Sequence, residues 1–374
     1  MSSLSIPAAV WRRRPAELAL PLALAILVVG WIFKPEIGTD ALPGAALVAA
    51  FVGFFIGAII AAFAAVRHAE HLARSLGEPY GTLVLTIAAI SIEVATVVTV
   101  MLHGADDPVF ARDTLFSVLM IVMNGVLGAG LLLGGIKHHE QSYNLEGAKA
   151  FLSVLIPLAV LALVLPLFTK GGGVGVHSTE EAIFLIVISL LLYGVFLAMQ
   201  TRRHRSYFTS PETVAGPARA ETTGGSRIYH TVLLIVYLLL VVLTAKLFAL
   251  PLDIGIDRTG VPSAVGALAV AILVLAPETM AAIAAARANQ MQRSVNIGLG
   301  TALSTVSLTV PAVLLLDLFT GHAAFLGLTP PNTVLLLLTF AVSILTFSSG
   351  RTNMLQGLVH IALFLTYIVL IFSP

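Results

Sequence analysis

Two glutamates stand alone in long apolar stretches of this chain. Glu93 lies in GTLVLTIAAISIEVATVVTVML (81–102) and Glu278 in AVAILVLAPETMAAIAAAR (269–287). An ionised carboxylate at the centre of a bilayer costs at least ~2.5–3.5 kcal/mol, so it is paired, protonated or functional. No Lys or Arg sits at the centre of any apolar stretch to pair with either acid. Both are therefore expected to hold protons or an imported cation. Burial and a like-charged neighbour raise carboxylate pKa values, whereas a hard divalent cation seeks carboxylate, amide, hydroxyl and carbonyl oxygens. Two Glu balance one Ca2+, and two protons balance the same pair when the ion leaves. Mutually exclusive occupancy by Ca2+ or H+ is the chemistry of an exchanger.

Helical geometry supplies the surroundings. At a helical pitch, Thr82, Thr86, Glu93 and Thr96 fall within about 40° of a common line, so the first acid tops a hydroxyl-lined stripe. Around Glu278 the same face carries Ala267, Ala271, Ala281, Ala282 and Ala285, small enough to admit a partner helix. Two further stretches, VLMIVMNGVLGAGLLLGG and NIGLGTALSTVSLTVP, are rich in small residues and uncharged oxygens. Asn124 marks the first, serving as helix–helix glue or as a ligand; Thr301, Ser304 and Thr305 share a face of the second, bonding within the helix or ligating. Pro277, Pro311 and the glycines of the first stretch predict locally unwound backbone, tolerated in a membrane only where it is buried or lines a cavity.

The elements that must position these residues are membrane helices. Of 374 residues, 58% are hydrophobic and 10% charged, against about 25% charged in soluble domains. Net charge is +1, which gives no footprint for a nucleic-acid partner, and the absence of cysteine excludes disulfides, thiolate metal sites and cysteine nucleophiles. Apolar runs predict about 11 spans. They fall near 16–33, 43–66, 81–102, 115–136, 150–168, 180–200, 229–249, 262–287, 295–319, 332–348 and 356–373. The first follows Arg12, Arg13 and Arg14 and has no small-x-small cleavage site, so it reads as a retained span. With a cytoplasmic N-terminus, five of the 20 Lys and Arg fall outside: Lys34, Arg112, Lys170, Lys246 and Arg258. The rest fall inside, as the positive-inside rule requires.

The polar segment 200–230 reads as a cytoplasmic linker and leaves five spans on each side of it after the first. Glu93 is on the second span of the first five and Glu278 on the second of the last five; the two spans run in opposite directions. Inverted repeats of this kind are a secondary-transporter architecture, with the site near mid-membrane between the repeats. The expected fold is thus all-α and polytopic: one N-terminal helix (1–40), a first five-helix repeat (41–200), a cytoplasmic linker (201–228) and a second repeat (229–374).

GEPYGTLVLTIAAISIEV, NGVLGAGLLLGGIKHHEQSYNLEGAKAFLSVLIPLAVLALVLPLFT and LAPETMAAIAAARANQMQRSVNIGLGTALSTVSLTVP resemble the bacterial ChaA-type calcium:proton antiporters. These belong to the cation/proton exchanger branch of the calcium:cation antiporter superfamily. The resemblance runs from about residue 60 onward and implies ten core helices in two inverted repeats, often preceded by an extra helix. The glycine–asparagine–x–x–glutamate motif of each repeat survives here only in its glutamates, within SIE and LAPE. The following glycine–serine element falls at Met123-Asn124 and Gly300-Thr301, and the amide of the later helix near Ser304. Na+ or K+ exchange alongside Ca2+ is also implied.

The expected function is a bacterial inner-membrane antiporter exporting Ca2+, with Na+ or K+ as further substrates, against H+. Glu93 and Glu278 bind cation and protons in turn, with Asn124, Ser304, Thr301, Thr86 and Thr96 as auxiliary oxygens. The N-terminus is placed in the cytoplasm and the C-terminus outside. No cofactor is expected, and partners are membrane lipids and small cations. A monovalent Na+(K+)/H+ antiporter is the alternative. An intramembrane hydrolase would need a nucleophile–base set, and the spans offer no central His or Lys; an ion channel would not need paired protonatable groups. Glu78 reads as an interfacial charge or a cation funnel. His68 and His71 in RHAEHLAR, and His139-Glu140, miss the zinc-protease spacing and read as solvated loop charges.

Overall fold

Apolar runs with every backbone polar group satisfied internally can cross a bilayer only as helices or closed barrels, and this chain is helical nearly throughout. The computed structural model describes residues 18–37, 42–76, 80–103, 108–169, 172–209, 227–321 and 324–373. Glu78, the Thr82 side chain and linker residues 210–226 lie outside the described residues. In chain order the helices are α1 (Ala19–Ile32), α2 (Gly44–Leu76), α3 (Tyr80–His103), α4 (Phe110–His138), α5 (Leu145–Leu163), α6 (Thr179–Arg203), α7 (Arg227–Thr259), α8 (Ala264–Arg287), α9 (Met291–Thr320), α10 (Pro330–Thr346) and α11 (Met354–Phe372). Among the described residues, 8 helices are long and apolar enough to cross a membrane, and α1, the Thr86–Leu102 part of α3 and α10 are shorter apolar helices.

Local chemistry fixes several ends. Ser178 with Glu181 and Asn353 with Gln356 form reciprocal capping boxes that start α6 and α11. Gly321, at φ 69°, closes α9 in the left-handed conformation. Two helices outrun their expected spans, α2 to Leu76 and α7 to Thr259. A helix need not stop where the bilayer does; α7 runs on through Pro251, and the extension of α2 carries no Gly or Pro. His68 and His71 therefore sit on a helix and not in a loop.

The unwinding expected around Pro277, Pro311 and the glycines of α4 is corrected. α8 runs unbroken through Pro277, and α4 and α9 are continuous but widen into π-turns at Ile121–Val126 and Thr305–Thr309. A π-turn absorbs an extra residue while keeping the ladder of backbone bonds, which an unwound segment in lipid would lose.

The chain forms two compact units that do not follow chain order. The first takes residues 1–104 and 221–259. Within it α2 and α7 pack along each other, with α1 and α3 against both. Its core pairs a small-residue face of α2 (Ala58, Ala61, Ala62, Ala65) with Val241, Ala245 and Phe248 of α7. The second unit takes 105–220 and 260–374. α4 is its most enclosed membrane-length helix and touches α8, α9, α10 and α11; α9 also packs on α5 and α6. A short antiparallel pairing of Gln141–Ser142 with Arg351–Thr352 ties the segment after α4 to the segment before α11. Large apolar side chains along α6, including Phe184, Val187, Leu191 and Val195, stand exposed as a lipid-facing surface requires.

Candidate functional site

In the first unit, α3 carries Glu93 with only 4% of its surface exposed. Thr96, three residues on and on the same helix face, is 1% exposed, and its Oγ1 has no hydrogen-bond partner among the described residues. Thr86 is half-buried two turns earlier. A carboxylate and an unengaged hydroxyl on one buried face are the oxygen donors a hard cation takes, and the carboxylate is also a proton acceptor.

In the second unit, α8 carries Glu278 half-buried, with its Oε2 enclosed. The alanine face is seated against neighbours: Ala267, Ala271, Ala282 and Ala285 are buried, and α8 packs on α4, on its π-turn and on α9. Pro277 has no N–H to give, so the Leu273 carbonyl one turn earlier lacks its intrahelical donor beside the acid. On α9, Ser304 and Thr305 both donate to the Thr301 carbonyl, at 2.9 and 3.0 Å. Their hydroxyls bond back into the helix and keep their oxygens as acceptors. The C-terminus of α8 is held from outside: Lys137 and His138 reach the Arg287 carbonyl, and Gln141 reaches the Ala286 carbonyl.

Asn124 is fully buried in the π-turn of α4 and engaged on both ends. Its Nδ2 donates to Thr339 Oγ1 at 2.8 Å and reaches Met120 Sδ at 3.5 Å. Its Oδ1 lies 3.0 Å from His360 Nδ1, and His360 Nε2 lies 3.1 Å from Thr346 Oγ1. All five residues are 3% exposed or less. His360, four residues into the span expected at 356–373, was not among the expected site residues. The signal was present, since a histidine in an apolar run is functional by default, but its pairing with Asn124 is a contact between residues 236 apart. Just beyond the helices, burial pushes the Tyr143 phenol up to about 12, so it stays protonated and donates to the Thr346 carbonyl at 3.4 Å.

Two more polar groups are brought together by the fold. His68 is 5% exposed and its Nδ1 meets His230 Nδ1 at 2.9 Å, with the His71 ring stacked on His230. These are packed helix contacts of the first unit, not solvated loop charges. At the start of α4, Arg112 pairs with Asp113 at 2.8 Å and Ser117 meets the Tyr367 hydroxyl at 2.5 Å, beside a cavity of about 190 Å³. Among the described residues, no group of three or more His, Asp or Glu side chains is placed to hold a metal ion. A cation here would rely on single carboxylates and neutral oxygens.

The sodium/calcium exchanger protein model matches residues 46–202 and 229–373. The chain belongs to that family. The family is one of membrane transporters, and its match spans both five-helix stretches on either side of the linker. The exchanger is 40% identical to y4hA of Sinorhizobium fredii, over 83% of this chain and 85% of that one. It is 38% identical to the sodium-potassium/proton antiporter ChaA of Escherichia coli, over 82% and 84% of the two chains. Its fold matches the solved structure of the selenium-substituted Ca2+/H+ antiporter protein YfkE with a TM-score of 0.72 at 20% identity, covering 96% of this chain and 100% of that one.

Proposed function

We propose that this exchanger sits in a bacterial inner membrane and exports Ca2+ in exchange for H+, with Glu93 and Glu278 taking cation and protons in turn. The observation that carries the reading is one glutamate on each of two helices that hold the second place in the two five-helix stretches, α3 and α8, in a chain of the sodium/calcium exchanger protein family. Each acid has acceptors close by in the chain: Thr96 beside Glu93, and the carbonyl released by Pro277 beside Glu278. Protonated, the two carboxylates carry no charge through the bilayer; with a divalent ion their two charges are balanced. Either loaded state crosses, and the doubly charged empty state is held back by the same desolvation cost. The proton gradient supplies the driving force, so no cofactor enters. The N-terminus lies in the cytoplasm and the C-terminus outside, in line with the charge distribution. Asn124, Thr301, Ser304 and Thr86 contribute further oxygens along the cation's way.

In everted vesicles carrying an imposed pH gradient, Ca2+ should dissipate the gradient with the wild-type chain. Glu93→Gln and Glu278→Gln, which keep shape but cannot exchange a proton, should each lower that rate by at least ~100-fold, the order of effect expected for a group that carries the charge itself. Normal rates in both variants would remove the assignment. A second reading is favoured by the name of the E. coli relative, a sodium-potassium/proton antiporter: exchange of Na+ or K+ with little Ca2+ transport. Ca2+, Na+ and K+ compared in the same vesicles separate the two.

A further inference from the structure

His360 and Asn124 hold each other in one defined arrangement, and its direction can be read from the atoms. Met120 Sδ, 3.5 Å from the Asn124 carboxamide, can only accept. The amide nitrogen therefore faces Met120 and Thr339, and Oδ1 faces the imidazole. Since Oδ1 only accepts, His360 Nδ1 carries the hydrogen; Nε2 is then the acceptor and takes the Thr346 hydroxyl. The ring uses both nitrogens, with the Met123 carbonyl also in hydrogen-bonding reach of it, and among the described residues Oδ1 takes no second hydrogen bond.

We infer that His360 is a positioning residue for cation transport: its Nδ1–H fixes the Asn124 carboxamide on the π-turn of α4, so that the second lone pair of Oδ1 keeps one direction. Three observations support this. The π-turn belongs to the part of α4 that packs on α8, the helix of Glu278, and on α9. α4 and α11 approach each other closely at this residue: a Cβ on Gly128 would stand 2.9 Å from His360 Cβ and 3.1 Å from Ile361 N. In the π-turn of α9, by contrast, Ser307 Oγ is fully buried without a hydrogen-bond partner among the described residues, whereas Asn124 is engaged at both ends. Partners that orient a ligating group are worth on the order of 10–100-fold in affinity.

This inference rests on the proposed role of Asn124 as an oxygen donor, and its test separates the two. The half-saturating concentrations of Ca2+, Na+ and K+ are measured in everted vesicles for Asn124→Ala, His360→Gln and His360→Asn. An Asn side chain places its amide where Nδ1 was, whereas a Gln side chain reaches the Nε2 position. Asn124→Ala and His360→Gln should each raise half-saturation on the order of 10-fold at an unchanged pH optimum. His360→Asn should recover to within about 3-fold of wild type, and the double variant Asn124→Ala/His360→Gln should be no worse than Asn124→Ala alone. His360→Asn as impaired as His360→Gln would overturn the inference, because the Nδ1 donor would then not be what matters. So would a raised half-saturation in Asn124→Ala beside a normal one in His360→Gln, which would leave the proposed role of Asn124 standing. A normal Asn124→Ala would overturn both. His360→Asn keeps a donor in the core, so its comparison with wild type stands even where His360→Gln extracts poorly.

Discussion

At the scale of single residues, the chemistry of this exchanger reduces to which oxygens can hold a charge in an apolar surround. Glu93 and Glu278 were legible as soon as the apolar runs were read, because a lone carboxylate in such a run has few uses. The place of Thr96 on the face of Glu93 was legible from helical periodicity, and its hydroxyl is buried without a hydrogen-bond partner among the described residues. The proposal for this hydroxyl is an auxiliary one, so Thr96→Val should raise the half-saturating cation concentration by several-fold, in keeping with the net ~0.5–1.5 kcal/mol of one hydrogen bond, and should leave maximal transport within a factor of about 2. Loss of maximal transport at unchanged half-saturation would place Thr96 elsewhere in the cycle. His360, Thr339 and Thr346 were not assigned from the sequence. Each is an ordinary polar residue in its own helix, and only the fold brings them to Asn124.

At the scale of elements, composition and the alternation of charge gave helix positions closely, since both follow from the thickness and polarity of the bilayer. What they could not give was how a helix handles an awkward residue. Proline and clustered glycine predicted breaks, and the chain instead uses π-turns and an unbroken α8, keeping its backbone bonds satisfied. The glycines of α4 and α11 serve packing. A Cβ on Gly357 would stand 2.7 Å from Leu132 Cα and 2.8 Å from the Gly128 carbonyl oxygen, whereas Gly194 on α6 has nothing within 4 Å. Gly357→Ala should therefore cost about 1–3 kcal/mol through overpacking against backbone. Gly194→Ala should be neutral or slightly stabilising, by up to about 1 kcal/mol. Melting temperatures of the two variants in detergent check the contrast; equal melting would mean that α4 and α11 are not in backbone contact.

At the scale of the whole molecule, the inverted repeat is a proposal drawn from chain order, while the compact units cut across it. α2 and α7, each first in its proposed repeat, pack together in the first unit; α4 and α9, each third, do so in the second. Periodicity reports which residues share a helix face but not which helices share a core, so this grouping was beyond the sequence. Membrane orientation is a whole-molecule property of another kind, because it follows from summed loop charge. The chain has no cysteine, which makes single-cysteine labelling clean. Thr259→Cys, at the exposed C-terminal end of α7 and expected outside, should react with an impermeant maleimide in intact cells. Ser349→Cys, exposed between α10 and α11 and expected inside, should react only after permeabilisation. The opposite pattern would invert the proposed topology.

The central claim is that the same two carboxylates hold protons and cation in alternation, and proton release on cation binding tests it most directly. Purified protein in weakly buffered detergent solution, titrated with Ca2+ near neutral pH, should release protons in step with ion binding. Glu93→Gln/Glu278→Gln should release none. Ca2+ binding without proton release in the wild type, or release that persists undiminished in the double variant, would contradict the account.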